Sequence, residues 1–306
     1  MVIILKDGET SPAPQPGQIF MPPTSQAGGA AAPAPSTAYP VPPPKPTAIV
    51  GSKETGAHDS AAAPQPASQE QQQQQQQQHA PFPQPKIRLE VRDVLHEGAR
   101  RFLSLVDASA LLPRAVADVQ RILYAHPGDR ATHCPPTRSV TLVLRDMGGV
   151  AYTTGSELDS DHKEIHFSLS YIAGVGGGGG DKDSRIAREI DGVITHELVH
   201  AYQWDAKGTC PGGLIEGIAD FVRLRCDLGP PHWRKELDGS WDRGYQHTAY
   251  FLDYLERRYG DGTVRKINEK LRTTKYREKD FWTELLGRPV EQLYEDYVKK
   301  SKEDES

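Results

Sequence analysis

The stretch His196-Glu197-Leu198-Val199-His200 carries the strongest chemical signal in the chain. Side chains four residues apart project from one face of an α-helix, so the imidazoles at 196 and 200 can reach one zinc ion while Glu197 addresses a water there. Ile186, Ile190, Val193, Ile194 and Val199 recur around the motif at helical spacing and supply an apolar setting for it. The chemistry implied is metallopeptidase chemistry. Zinc brings the pKa of a bound water down to ~7, and Glu197 serves as general base.

A catalytic zinc takes three protein ligands and keeps one position open. Past a loop containing Gly208, Pro211, Gly212 and Gly213 comes LIEGIADFVRL, a helical pattern in which Glu216 and Asp220 again stand four residues apart. Glu216 is the expected third ligand. Asp220 is the expected acceptor for the remaining N–H of a ligand histidine, an interaction that fixes the tautomer. Leu214, Ile215, Ile218, Ala219, Phe221 and Val222 surround both acids, so the helix should be mostly buried, where an unpaired carboxylate is costly.

Peptide hydrolysis also needs a donor facing the developing oxyanion, and the stretch WDRGYQH offers Tyr245 or His247, of which Tyr245 is preferred. An extended substrate binds along a sheet edge, which makes Val150, Ala151 and Tyr152, within the stretch Gly149 to Thr153, candidate substrate contacts. The surrounding GGVAYTTG contains no acidic residue to capture a free amino terminus, which favours an endopeptidase over an aminopeptidase.

These residues need elements to hold them. Strands are expected at 87–93, 138–145 and 149–154, and at 164–172, where Ile165, Phe167, Leu169 and Tyr171 alternate with His166, Ser168 and Ser170. The last of these should run antiparallel to 149–154. Helices are expected at 94–105 and around Leu112, Val116, Val119 and Leu123, then at 184–204, 213–226, 246–259, 263–272, 278–286 and 290–300. Strands first and helices after give an α+β domain with a helical second half. Gly176 to Gly180 read as a flexible insertion before the motif helix.

With these motifs in view, GVITHELVHAYQWDAKGTCPGGLIEGIADFVRLR resembles the core of the plant-type basic secretory proteins, and the likeness runs from about Ile87 to Val298. DMGGVAYTTG and HKEIHFSLSYI before the motif, and WDRGYQHTAYFLDYLERRYG after it, take part. The resemblance implies a zincin-like fold with a small mixed or antiparallel sheet. It also implies a zinc peptidase of the gluzincin type, in which a glutamate on the helix after the motif completes the metal site, in keeping with Glu216. A catalytically inactive binding or defence-related protein on the same fold is the alternative.

Composition bounds the rest. The first 85 residues hold 17 of the 25 prolines and the tract Gln71 to Gln78, too little apolar surface to offset chain entropy. They are expected to form a disordered tail, with recognition domains as a conceivable partner, ahead of one domain at 86–300. The net charge of −5 has no basic concentration, so nucleic acid is a poor partner. No stretch reaches the ~18 to 20 apolar residues of a membrane span, and the start, MVIILKDGETSPAP, does not read as a secretory signal. A cytoplasmic setting is therefore expected, with an extracellular one as the family name implies. Cys134, Cys210 and Cys226 lack the spacing of a disulfide scaffold or a thiolate zinc site, and free thiols are expected.

Overall fold

The computed structural model describes residues 81–176 and 181–304. The expectations for residues 1–80 and for Gly177 to Gly180 lie outside the described residues. Four strands, β1 (Lys86–Val91), β2 (Ser139–Arg145), β3 (Ala151–Gly155) and β4 (His162–Ser168), form one sheet in the order β1-β2-β4-β3. The first three in that order are mutually parallel, and β3 closes one edge antiparallel to β4. Of the two sheet types expected, the mixed one is therefore realised, and the fold is α+β.

Two helices, α1 (Glu97–Leu105) and α2 (Ala108–Tyr124), make the crossover that parallel β1 and β2 require. Asp107 starts α2 by accepting hydrogen bonds from the backbone N–H groups of Ser109 and Ala110. Leu112, Val116, Val119 and Leu123 are all buried on its inner face, as their spacing anticipates. β2 is buried on both faces, since Val143 is as inaccessible as Val140, Leu142 and Leu144.

The strand expected at 164–172 stops at Ser168. The Ser168 hydroxyl accepts from the Tyr171 N–H and donates to the Met147 carbonyl, and α3 (Leu169–Gly174) begins at once. A serine N-cap thus overrides an alternation that continues on paper through Tyr171. The expected limit of the tail at residue 85 shifts as well. Phe82 packs edge-on against Tyr124 at 6.4 Å, Gln120 Nε2 donates to the Pro83 carbonyl, and Pro85 is buried. Folded structure thus reaches back at least to Phe82, because α2 supplies an aromatic and an amide partner for this short stretch.

The remaining helices are α4 (Lys182–Tyr202), α5 (Gly212–Arg225), α6 (Tyr245–Tyr259), α7 (Thr263–Thr273), α8 (Glu278–Leu286) and α9 (Val290–Asp304). Trp241, Phe251, Trp282, Tyr294 and Tyr297 gather into one aromatic cluster that joins α6, α8 and α9. Among the described residues no helix is long and apolar enough to cross a membrane. The three cysteines are separate thiols. Burial pushes Cys134 and Cys210 up to about 12 and Cys226 to about 11.

The contact between α4 and α5 decides where the functional side chains meet. One turn before His196, Gly192 faces Arg223 of α5 so closely that an added Cβ would sit 2.5 Å from the guanidinium Nε. That guanidinium is buried. It donates to the Leu228 carbonyl and to Glu189 of α4, and it lies over the Trp233 ring. Glu189 in turn accepts from the Tyr171 hydroxyl.

Gly192→Ala should accordingly lower stability by about 1–3 kcal/mol, the usual penalty for overpacking a filled site. Thermal unfolding checks this. An unchanged midpoint would show that Arg223 can retreat without loss.

Candidate metal centre

The helix α4 begins at Asp181, whose carboxylate accepts from the Ser184 N–H. It buries Ile186, Ile190, Val193, Ile194, Leu198 and Val199, and this burial fixes its rotation so that His196 and His200 turn toward α5. The two rings meet edge to face, with centroids 4.9 Å apart. Between α4 and α5 the chain turns tightly through Ala206, Lys207 and Gly208, all at positive φ. The N–H groups of Thr209 and Cys210 both return to the Asp205 carbonyl. This compact turn lets a spacing of only fifteen residues carry the chain from His200 to Glu216.

The donor atoms converge. His196 Nε2 lies 3.0 Å from Glu216 Oε2 and 3.2 Å from His200 Nε2, and the third side of the triangle, His200 Nε2 to Glu216 Oε2, is 3.7 Å. Ligands about 2.0–2.1 Å from a tetrahedral ion stand roughly 3.3 Å from one another. The triangle is therefore close to the size that one face of such a site requires. Among the described residues this trio forms the one group of three His, Cys, Asp or Glu side chains whose ligand atoms cluster tightly enough to hold an ion.

Asp220 lies where the spacing put it, one helical turn past Glu216. Its Oδ1 is 2.7 Å from His196 Nδ1, and the residue is 3 % exposed. A carboxylate can only accept, so Nδ1 carries the hydrogen and Nε2 points into the triangle. Burial alone would lower the His196 pKa, but Asp220 and Glu216 outweigh it and raise it to about 10. For Glu216 burial acts in the opposite sense, and the hydrogen bond with His196, together with the His200 ring 3.7 Å away, prevails and holds its carboxyl far below the usual carboxylate range.

Glu197 is set apart from the triangle. Its carboxylate turns to β3, where Thr153 Oγ1 lies 2.7 Å from its Oε2 and 2.8 Å from its backbone oxygen. Tyr245 reaches the site by a different route. Gly217 of α5 has no Cβ, which lets Thr248 of α6 sit where a side chain would otherwise clash at 2.3 Å. The Thr248 hydroxyl donates to the Trp241 carbonyl and accepts from the Gly244 N–H. These bonds fix the first turn of α6, with Tyr245 itself in the left-handed region at φ 47°. The Tyr245 ring lies parallel to that of His196 at 6.1 Å. Burial, with Glu216, Asp220 and Glu197 adding to it, raises its phenol to about 12, so it remains a donor at neutral pH. His247 is engaged elsewhere, bonded through Nε2 to the Ser240 carbonyl and the Tyr294 hydroxyl.

The three expected substrate contacts separate. The Val150 carbonyl accepts from the Ser168 N–H, and the Ser156 N–H donates to the His162 carbonyl. By antiparallel alternation, residues 150, 152 and 154 direct their backbone polar groups to β4, whereas Ala151 and Thr153 direct theirs to the outer edge. Tyr152 stacks its ring on His166 at 4.7 Å, and alternation places its side chain on the sheet face opposite to Thr153. Ala151 alone of the trio thus offers free backbone groups. Thr153 was expected only as a substrate contact, and its hydrogen bond to Glu197 was not foreseen; nor was Gln203, whose amide nitrogen is 2.6 Å from His200 Nδ1. Gln203 had a readable signal in its position three residues past His200. The bond from Thr153 to Glu197 had none without the register.

The family model described as BSP, peptidase of plants and bacteria, matches residues 84–297, a span that includes every residue of this centre. No curated protein matches, and no solved structure does.

The charges make metal uptake sensitive to pH in a definite direction. A proton on His196 Nε2 competes with an ion, and with that pKa raised to about 10 the proton must leave over most of the working range. Affinity should therefore rise with pH, by about tenfold per unit between about pH 7 and 9, with about one proton released per ion. Calorimetry in buffers of different ionisation enthalpy measures both. A pH-independent affinity would contradict the charge assignment.

Proposed function

This chain belongs to the BSP family, the peptidases of plants and bacteria, and from that membership we propose that it is a zinc-dependent endopeptidase acting on peptide or protein substrates. His196, His200 and Glu216 hold the ion, and the observation that carries this reading is the size of their donor triangle. Zinc, when bound, supplies Lewis acidity toward a carbonyl oxygen and acidifies water.

The remaining work falls to the protein. Glu197 takes a proton from the attacking water and returns it to the leaving nitrogen. Thr153 steadies that carboxylate through the 2.7 Å hydrogen bond. Tyr245, protonated and beside His196, donates to the developing oxyanion. Asp220 keeps His196 in the tautomer that presents Nε2. An extended substrate pairs with the outward backbone groups of Ala151 and Thr153, which places its scissile bond beside Glu197. β3 carries no acidic side chain, so nothing on this strand captures a free amine, and cleavage within a chain is favoured.

Two variants separate holding the ion from using it. His196→Ala should lose about one equivalent of bound zinc. Glu197→Gln should bind zinc normally yet lose at least ~10²-fold in activity on an unstructured protein, as removal of a general base does. A chelator should abolish wild-type cleavage. Undiminished turnover by Glu197→Gln would refute the mechanism, and absence of wild-type cleavage with zinc bound would leave the inactive binding protein as the better reading.

A further inference from the structure

The two ligand histidines are supported unequally. His196 has the carboxylate of Asp220 at Nδ1, whereas His200 has only the neutral amide of Gln203. Gln203 is the residue at which α4 ends. It takes an extended conformation, and its N–H bonds the Val199 carbonyl. That backbone bond anchors the side chain within reach of His200. At the other end of the amide, Oε1 is buried with no hydrogen-bond partner, so the contact with His200 is the polar interaction this side chain makes.

An amide group has nearly the same shape either way round, and chemistry decides which end faces the ring. With the nitrogen toward Nδ1, the ring must accept there. Its hydrogen then sits on Nε2, the atom that faces His196 and Glu216, and no lone pair is left for an ion. With the oxygen toward Nδ1, the ring donates there and Nε2 is free to ligate. Only the second arrangement is compatible with the donor triangle.

We propose that Gln203 is a positioning residue for the metal centre, its side-chain carbonyl accepting from His200 Nδ1–H and thereby holding the tautomer that binds the ion. The assignment rests on the reading of His196, His200 and Glu216 as the metal site. It also explains why the two supports differ in charge. Glu216, Asp220 and Glu197 already bring three carboxylates to this pocket, and a neutral acceptor orients His200 without adding a fourth.

Substitution at this position distinguishes acceptor from donor. Gln203→Leu removes the acceptor at similar size and should weaken zinc binding by ~10- to 100-fold, the usual effect of losing a group that orients a metal ligand. Gln203→Glu can only accept and should bind zinc at least as tightly as wild type. Affinities are read by competition with a chromophoric chelator, and thermal unfolding of the metal-free proteins confirms that both variants fold. Histidine-selective ¹⁵N NMR of the zinc-loaded protein should show His200 with its hydrogen on Nδ1. Wild-type zinc affinity in Gln203→Leu, or equal loss in both variants, would overturn the role of Gln203. Failure of the wild-type protein to take up zinc would instead overturn the metal-site reading, and this assignment with it.

Discussion

The site depends on one packing constraint, the close docking of α5 on α4. Each helix carries its functional pair four residues apart, imidazoles at 196 and 200 and carboxylates at 216 and 220, and neither pair can do anything alone. Gly192 admits the Arg223 guanidinium, which pairs with Glu189 in a buried position. That contact holds the two helices at the separation that leaves 2.7 Å between Asp220 and His196, and 3.0 Å between Glu216 and the same ring. Burial makes these distances matter, because charges removed from water interact strongly and are tolerated only when paired. The high pKa of His196 and the depressed pKa of Glu216 express one fact, that the buried Asp220 and the half-buried Glu216 together require a positive charge. Without an ion a proton meets that need in part.

The other elements bring groups to this centre from three sides. β3 presents Thr153 to Glu197, α6 presents Tyr245 to the His196 ring, and the end of α4 presents Gln203 to His200. Each arrives by a local device: an antiparallel edge strand, a threonine hydroxyl that ties down a turn, an extended residue closing a helix. The Glu197 carboxylate is thus engaged by Thr153 of β3, whereas Glu216 bonds His196.

Much of this was legible in the residues alone, for identifiable reasons. The four positions 196, 200, 216 and 220 share a period of four, and helical geometry converts that period directly into a common face. Whether two such faces meet is a tertiary matter that the apolar residues around them only implied. The sheet was harder to read. Ser168 looks like one more outward residue of an alternating strand, and its role as a cap, although the Tyr171 N–H is only three residues on, is secured by Met147, which sequence order does not place beside it. Val150, Ala151 and Tyr152 could be located on a strand, but which of them faces the edge follows from hydrogen-bond phase, and a shift of one residue reverses it. The bond from Thr153 to Glu197 was illegible for the same reason. At the domain start, Phe82 and Pro83 belong by composition to the preceding segment and by contact to α2.

The central claim is that one ion is held by these particular three side chains, and anomalous diffraction at the zinc edge from crystals grown with zinc tests it most directly. The account predicts a single strong peak about 2.0–2.2 Å from His196 Nε2, His200 Nε2 and Glu216 Oε2, with Glu197 outside the ligand set. A peak elsewhere on the domain, or an ion at this place coordinated by Asp220 in the stead of Glu216, would contradict it.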